Sequence, residues 1–232
     1  MKRQSIASLI TCVALSVMAY GQAPDSKAAM VQIKKNLDSS TKKLATMTWV
    51  ETTTIYKGDE VKSEIKNQCV YGADRKVSKT PISAPAEDSK SPRGVRGKIV
   101  ENKKEDMSEY VKACVAKVHQ YLPPNSEKLQ SINTASKVIV QVLDANSKKY
   151  TFNFPDYLQA GDQVAITMDM MKALFGGIAV KTYLDKPDDQ INFNLKYSVL
   201  PDGTEYPAET ILDLPKEGLK IVIKNDGYKK AG

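Results

Sequence analysis

The side chains able to do chemistry are few and scattered. His119 is the single imidazole among 232 residues, and no serine or carboxylate signature accompanies it. A general base needs a partner within hydrogen-bond reach, so His119 reads as helix surface. The thiols are Cys12, Cys69 and Cys114, with no Cys-x-x-Cys pair and no second histidine, which leaves no zinc spacing. Adjacent carboxylates occur at Asp188-Asp189 and Glu105-Asp106. Hydrolysis by paired carboxylates requires them to face each other across a cleft. These pairs instead fall in a turn and at a helix start, where negative charge is favoured for structural reasons. Neither a Gly-x-Ser-x-Gly elbow nor a phosphate-cradling glycine loop occurs, and Gly176-Gly177 reads as a bend or bulge. The expectation is a protein that is not an enzyme and carries no metal and no cofactor.

The first 23 residues, MKRQSIASLITCVALSVMAYGQA, read as an export signal. Lys2 and Arg3 make the basic start, Ile6 to Ala19 the apolar centre, and Gly21 with Ala23 the small-residue cleavage site. The centre is too short to anchor the chain across a bilayer. Leu9-Ile10-Thr11-Cys12 is a loose alternative, a lipobox with Cys12 acylated. Thr11 fits that site poorly, and the apolar run continues past Cys12. The reading is a periplasmic or secreted protein of residues 24–232, cleaved after Ala23.

The leader holds two of the 34 basic residues and none of the 27 acidic ones, so the exported part is only mildly basic. Its lysines are interspersed with carboxylates instead of clustering between aromatics, which argues against a nucleic-acid partner. Cys69 and Cys114 are an even pair, and an oxidising compartment permits a disulfide between them. Each falls on the apolar side of its own element, so two buried thiols are the competing and favoured reading.

The elements that must carry these residues are legible from periodicity. Residues 26–44 place Met30, Ile33, Leu37 and Leu44 on one helical stripe, with Asp25 or Ser26 as cap. Met47–Tyr56, Glu60–Tyr71 and a short segment near Lys76–Ile82 read as strands, with Val61, Ile65, Cys69 and Tyr71 sharing one face of the second. Residues 84–97 (APAEDSKSPRGVRG) are nearly devoid of apolar side chains and read as a mobile loop. From Asn102 to Leu122 a second amphipath follows, stopped by Pro123-Pro124, and a shorter helix then runs to about Ala135. The remainder, Val138 to Ile223, is a run of short strands with turn signals between them, including Ile191–Val199 in strict alternation. One wet and one greasy face per strand, joined by short connections, implies an antiparallel meander of about ten strands with helices on one face. The fold class is α+β: a curved antiparallel sheet forming an open half-barrel, with an N-terminal helix and a helical lid on the concave face.

The run from Met168 to Leu214 resembles the closing half of periplasmic outer-membrane lipoprotein carriers of the LolA type. Asp169 and Leu174 match the end of one strand and the apolar segment after it, and Tyr183 the aromatic of the next. Phe193 and Tyr197 match the alternating strand, and Gly203 with Pro207 the last turn. The order of helix, three strands, helical insert and meander is also similar. That resemblance implies an unclosed barrel around a hydrophobic cavity that binds acyl chains or other lipids. It also implies a lipoprotein or membrane-associated partner. Carriers gate the cavity with an arginine, and the arginines after the leader are Arg75, Arg93 and Arg96, none at a matching place. The inward candidates on successive strands are Trp49, Ile65, Val140, Phe152, Ile166, Val180, Phe193 and Tyr197. Met107, Tyr110, Val118 and Tyr121 form the lid side. The competing reading is a structural or protein-interaction module in which the same residues are solid core.

Overall fold

A computed structural model describes residues 24–72, 76–82, 95–135 and 137–231. The leader with Cys12, residues 73–75 with Arg75, and the expected loop as far as residue 94 lie outside the described residues. In chain order the elements are α1 (Pro24–Leu44), β1 (Met47–Lys57), β2 (Glu60–Tyr71), β3 (Val77–Pro81), α2 (Val95–His119), α3 (Ser126–Thr134), β4 (Ile139–Asp144), β5 (Lys149–Pro155), β6 (Gln163–Asp169), β7 (Leu174–Tyr183), β8 (Gln190–Val199), β9 (Glu205–Leu214) and β10 (Leu219–Lys230). A 3-10 turn at Pro215–Glu217 precedes β10.

All strands join one ten-stranded sheet in the order β3-β2-β1-β10-β9-β8-β7-β6-β5-β4. Every pairing is antiparallel. Among the described residues β3 and β4 are the edges of the sheet and do not pair with each other, so it is open and does not close into a barrel. Two meanders, β1–β3 and β4–β10, are joined where β1 pairs with β10, from Thr48↔Lys229 to Lys57↔Leu219. The helices α2 and α3 lie in the stretch of chain that leads from one free edge to the other.

Side-chain alternation gives the sheet an inner and an outer face. Val140, Phe152, Ile166 and Ile178 are directly opposed along β4–β7. Val180, Phe193, Leu212, Ile221 and Ile55 continue the same face through β7, β8, β9, β10 and β1. The outer face carries residues such as Lys181, Asn192, Asp213, Lys220 and Tyr56 at the intervening positions. An antiparallel sheet with one dry and one wet side is the result.

The helices cover part of the inner face. Met30, Ile33 and Leu37 of α1 are buried against strand residues, with Leu129 and Ile132 of α3 in the same cluster. Burying side chains of this size contributes roughly 1.5–3 kcal/mol each. α1 lies over β9, β7 and β1, and α3 over β5. Asn125 caps α3, its Oδ1 accepting from the Lys128 N–H at 3.0 Å. A second cluster seats α2: Cys114 and Val118 pack with Ile191, Leu212, Leu214 and Leu219.

Three expectations are corrected, and the bulge expected at Gly176-Gly177 is present. α2 starts at Val95, so residues 95–97 are helix and not loop. Arg, Lys and Glu in that turn are good helix formers and carry the single Gly97, whose cost is about 1 kcal/mol. β10 runs on to Lys230, well past Ile223, because β1 offers it a full-length partner. Gly176-Gly177 lies inside β7, where the register to β6 slips at a bulge. Gly177 is obligatory there: its φ is +145° and a Cβ would sit 2.2 Å from the Leu195 carbonyl oxygen. Val61 leaves the face of Ile65, since a bulge makes it oppose outward-facing Tyr56 and leaves it 57% exposed.

Candidate functional site

The residues expected to point inward do share one face, but their surroundings divide them. Phe152, Ile166 and Val180 are fully covered in the cluster under α1 and α3 and are core. Trp49 is 5% exposed and packed among aromatic rings. Ile65, Val140, Phe193 and Tyr197 are only half-buried. On the lid, Val118 and Tyr121 are buried, while Met107 and Tyr110 are half-buried.

The half-buried positions are contiguous. Phe193, Leu195 and Tyr197 on β8 lead through Thr210 on β9 to Ile221 and Ile223 on β10, opposite Ile55 and Thr53 on β1. Thr53 in turn opposes Ile65 on β2. This apolar belt lies between the two buried clusters and is finished by neither. Met107, Tyr110 and Val111 of α2 flank it as partly buried members of the second cluster.

Two buried carboxylates fix the helical cover, and both were unremarkable turn residues in the sequence. Asp189 is 5% exposed; it accepts from the Tyr110 hydroxyl on α2 and pairs with Lys216 at 3.1 Å. Asp162 is 2% exposed and accepts the backbone N–H groups of Tyr157, Leu158 and Gln159. Its Oδ2 also accepts from the Tyr121 hydroxyl at 2.7 Å, and Tyr121 contacts Thr182 Oγ1 at the same distance. Burial, then the bond to Asp189, pushes the Tyr110 phenol far above its ordinary range. Burial does the same for Tyr121, opposed by Thr182 and reinforced by Asp162. These phenols are structural donors that stay protonated.

At one rim of the inner face, aromatic rings replace aliphatic packing. Trp49 lies 5.1 Å from Tyr71 and 5.6 Å from Tyr228, measured between ring centroids, and Tyr228 lies 4.7 Å from Tyr206. Trp49 Nε1 donates to Asn225 Oδ1 at 3.0 Å, and Asn225 Nδ2 donates to the Pro207 carbonyl at 2.8 Å. Pro207 opposes Tyr197, whose ring meets Phe175 edge-on at 5.0 Å. Behind this row Glu205 is buried: its Oε2 accepts from the Phe175 N–H at 2.7 Å, and its own N–H donates to Ser40 Oγ of α1 at 2.9 Å. Glu205 Oε1 has no partner. Burial raises this carboxyl to about 7, opposed by the Phe175 N–H. Burial also lifts Tyr197 to about 12, with Tyr71 and Glu205 adding to the shift.

The remaining candidates play no part in the belt's chemistry. Cys69 and Cys114 are free buried thiols rather than a bridge, because Cys69 opposes Trp49 on β2 whereas Cys114 is enclosed in the α2 cluster. Burial raises both thiols. His119 is exposed at the end of α2. Among the described residues there is no cluster able to hold a metal ion, and no helix long and apolar enough to cross a membrane. A cleft of about 310 Å³ beside Gly161, Tyr183 and Pro187 shares no residue with the belt.

No protein-family model matches the chain, and no curated relative does. Solved structures similar in fold include a LolA superfamily protein from Nitrosomonas europaea, at 9% identity and a TM-score of 0.37, covering 86% of this chain and 94% of that one. Another is a DUF1329 family protein from Desulfovibrio piger, at 13% identity and a TM-score of 0.31, covering 86% of this chain and 93% of that one.

Proposed function

We propose that this chain is an exported, non-enzymatic binding protein that takes a hydrophobic or lipidic molecule along the half-covered belt of its open sheet. The observation that carries the reading is the mismatch between the inner face and its cover. Apolar alternation continues from Phe193 through Ile221 and Ile223 to Ile55 and Ile65, while the chain's own helices finish only part of it. An apolar surface left half-wet inside a concavity is the usual ground of a small-molecule site. A lipoprotein acyl chain is one molecule of the right chemistry, with the periplasm as the setting and a lipoprotein or membrane-associated protein as donor or acceptor.

A packed interaction module is the second reading, favoured by the complete burial of Phe152, Ile166, Val180 and Tyr121. Native mass spectrometry of protein purified from its own export compartment separates the two. Retained lipid mass, together with saturable uptake of a fluorescent fatty acid, is the expected result. A clean protein mass with no uptake favours the module.

A further inference from the structure

Resting on that reading of the belt, we infer that its aromatic rim is a head-group subsite in which Tyr71, Tyr197 and Tyr228 donate hydrogen bonds to an uncharged amphiphile with an ester or hydroxyl head. The rim is one row across the sheet. Tyr71 follows Cys69 by two residues on β2, and Cys69 opposes Trp49 on β1. Trp49 is tied through Asn225 on β10 to Pro207 on β9, which opposes Tyr197 on β8. Tyr228 stacks on Trp49 with ring planes 12° apart. The row therefore borders the belt formed by Leu195, Ile223 and Ile65 on the same strands.

The hydroxyls of this row differ from those at the lid end. Buried phenols normally find a partner, and at the lid end they do: Tyr110 bonds Asp189, Tyr121 bonds Asp162, and Tyr183 bonds the Ala160 carbonyl. The hydroxyls of Tyr71, Tyr197 and Tyr228 have no such partner among the described residues, and none of them is a sealed, unsatisfied atom. They are half-buried donors beside the apolar belt. Burial raises all three phenols, and each is close enough to another of the set to feel its charge. They stay protonated and donate.

Charge defines the class of head. Among the described residues, the lysine nearest the row, Lys79, faces Cys69 across β2 and β3 and is held by both oxygens of Glu51 at 2.6 and 2.8 Å. Glu205, within electrostatic reach of Tyr197, supplies no positive charge and opposes a carboxylate or phosphate wherever it is ionised.

Trp49 is the only tryptophan of the chain, so its emission reports on this rim directly. The test titrates the exported protein with monooleoylglycerol, oleate, oleylamine and cis-9-octadecene, which share a tail and differ in head. Monooleoylglycerol is expected to bind at least roughly ten-fold more tightly than the hydrocarbon. Each neutral hydrogen bond lost in Tyr71→Phe, Tyr197→Phe or Tyr228→Phe should weaken it roughly two- to ten-fold. The triple variant, whose fold is checked by its unfolding transition, should fall to the hydrocarbon level, whereas Ile65→Ala should weaken all ligands alike. Equal binding of ester and hydrocarbon, tighter binding of oleate or oleylamine, or an indifferent triple variant overturns the subsite while leaving the belt in place. Failure of all ligands to bind overturns the binding function itself, and the subsite with it.

Discussion

The inner face under α1 and α3 and the inner face over β10, β1 and β2 follow the same two-residue alternation, yet they end differently. The first is closed by Met30, Ile33, Leu37 and Leu129, which reach strand residues such as Phe154, Val164 and Ile166 at essentially zero exposure. The second keeps Ile65, Ile221 and Ile223 half-wet. Periodicity decides which way a side chain points, whereas coverage depends on what packs above it. Stability is concentrated in the covered half and accessibility in the other.

The largest effect should come from breaking the covered half. Phe154→Ala leaves a cavity where relaxation is limited and should cost about 3–5 kcal/mol in a denaturant titration. Asp162→Ala removes the acceptor of three backbone N–H groups and of the Tyr121 hydroxyl, leaving those donors unpaired. A loss of about 3 kcal/mol is expected, read as a lowered midpoint.

Glu205 sharpens the comparison through pH, because it sits where α1 closes on the sheet. Its folded value of about 7 exceeds the ordinary glutamate value of 4.5, so the folded state holds the proton more tightly. The contribution is therefore fully present below the unfolded value and is lost as pH rises through about 7. Stability should fall by up to about 3 kcal/mol between pH 4.5 and 8, and Glu205→Gln should flatten that slope. An unchanged slope in the variant would assign the pH dependence to another group.

Ile65→Ala, in the open half, should cost only about 1 kcal/mol or less in stability yet reduce ligand uptake, the reverse of Phe154→Ala. Smallest of all, Lys196→Ala breaks an outer-face pair with Glu209 at 2.9 Å. A change within about 0.5 kcal/mol is expected, since the exposed lysine is screened by solvent.

Much of this division could be read from the residues alone, though not its boundary. The stripe of Met30, Ile33, Leu37 and Leu44 gave α1, and Ile191–Val199 gave an alternating strand that β8 reproduces. The pairing of β1 with β10 left no local mark, because the partners lie far apart in the chain and Lys224–Lys230 shows no apolar alternation. Val61 was misplaced because a bulge changes facing without changing composition. Asp162 and Asp189 were hidden for a different reason: a carboxylate in a turn looks the same whether it caps its own loop or receives a distant tyrosine. Phe152, Ile166 and Val180 pointed as expected, but whether they line a hollow depended on α1 and α3.

The two margins of the sheet, β3 and β4, are connected in sequence through the segment that contains α2 and α3. The described part of that segment, residues 95–135, is fastened to the turns before β8 and β6 by the Tyr110–Asp189 and Tyr121–Asp162 bonds. Removing either hydroxyl, in Tyr110→Phe or Tyr121→Phe, should therefore loosen the helical cover while leaving the strand pairing of the sheet intact.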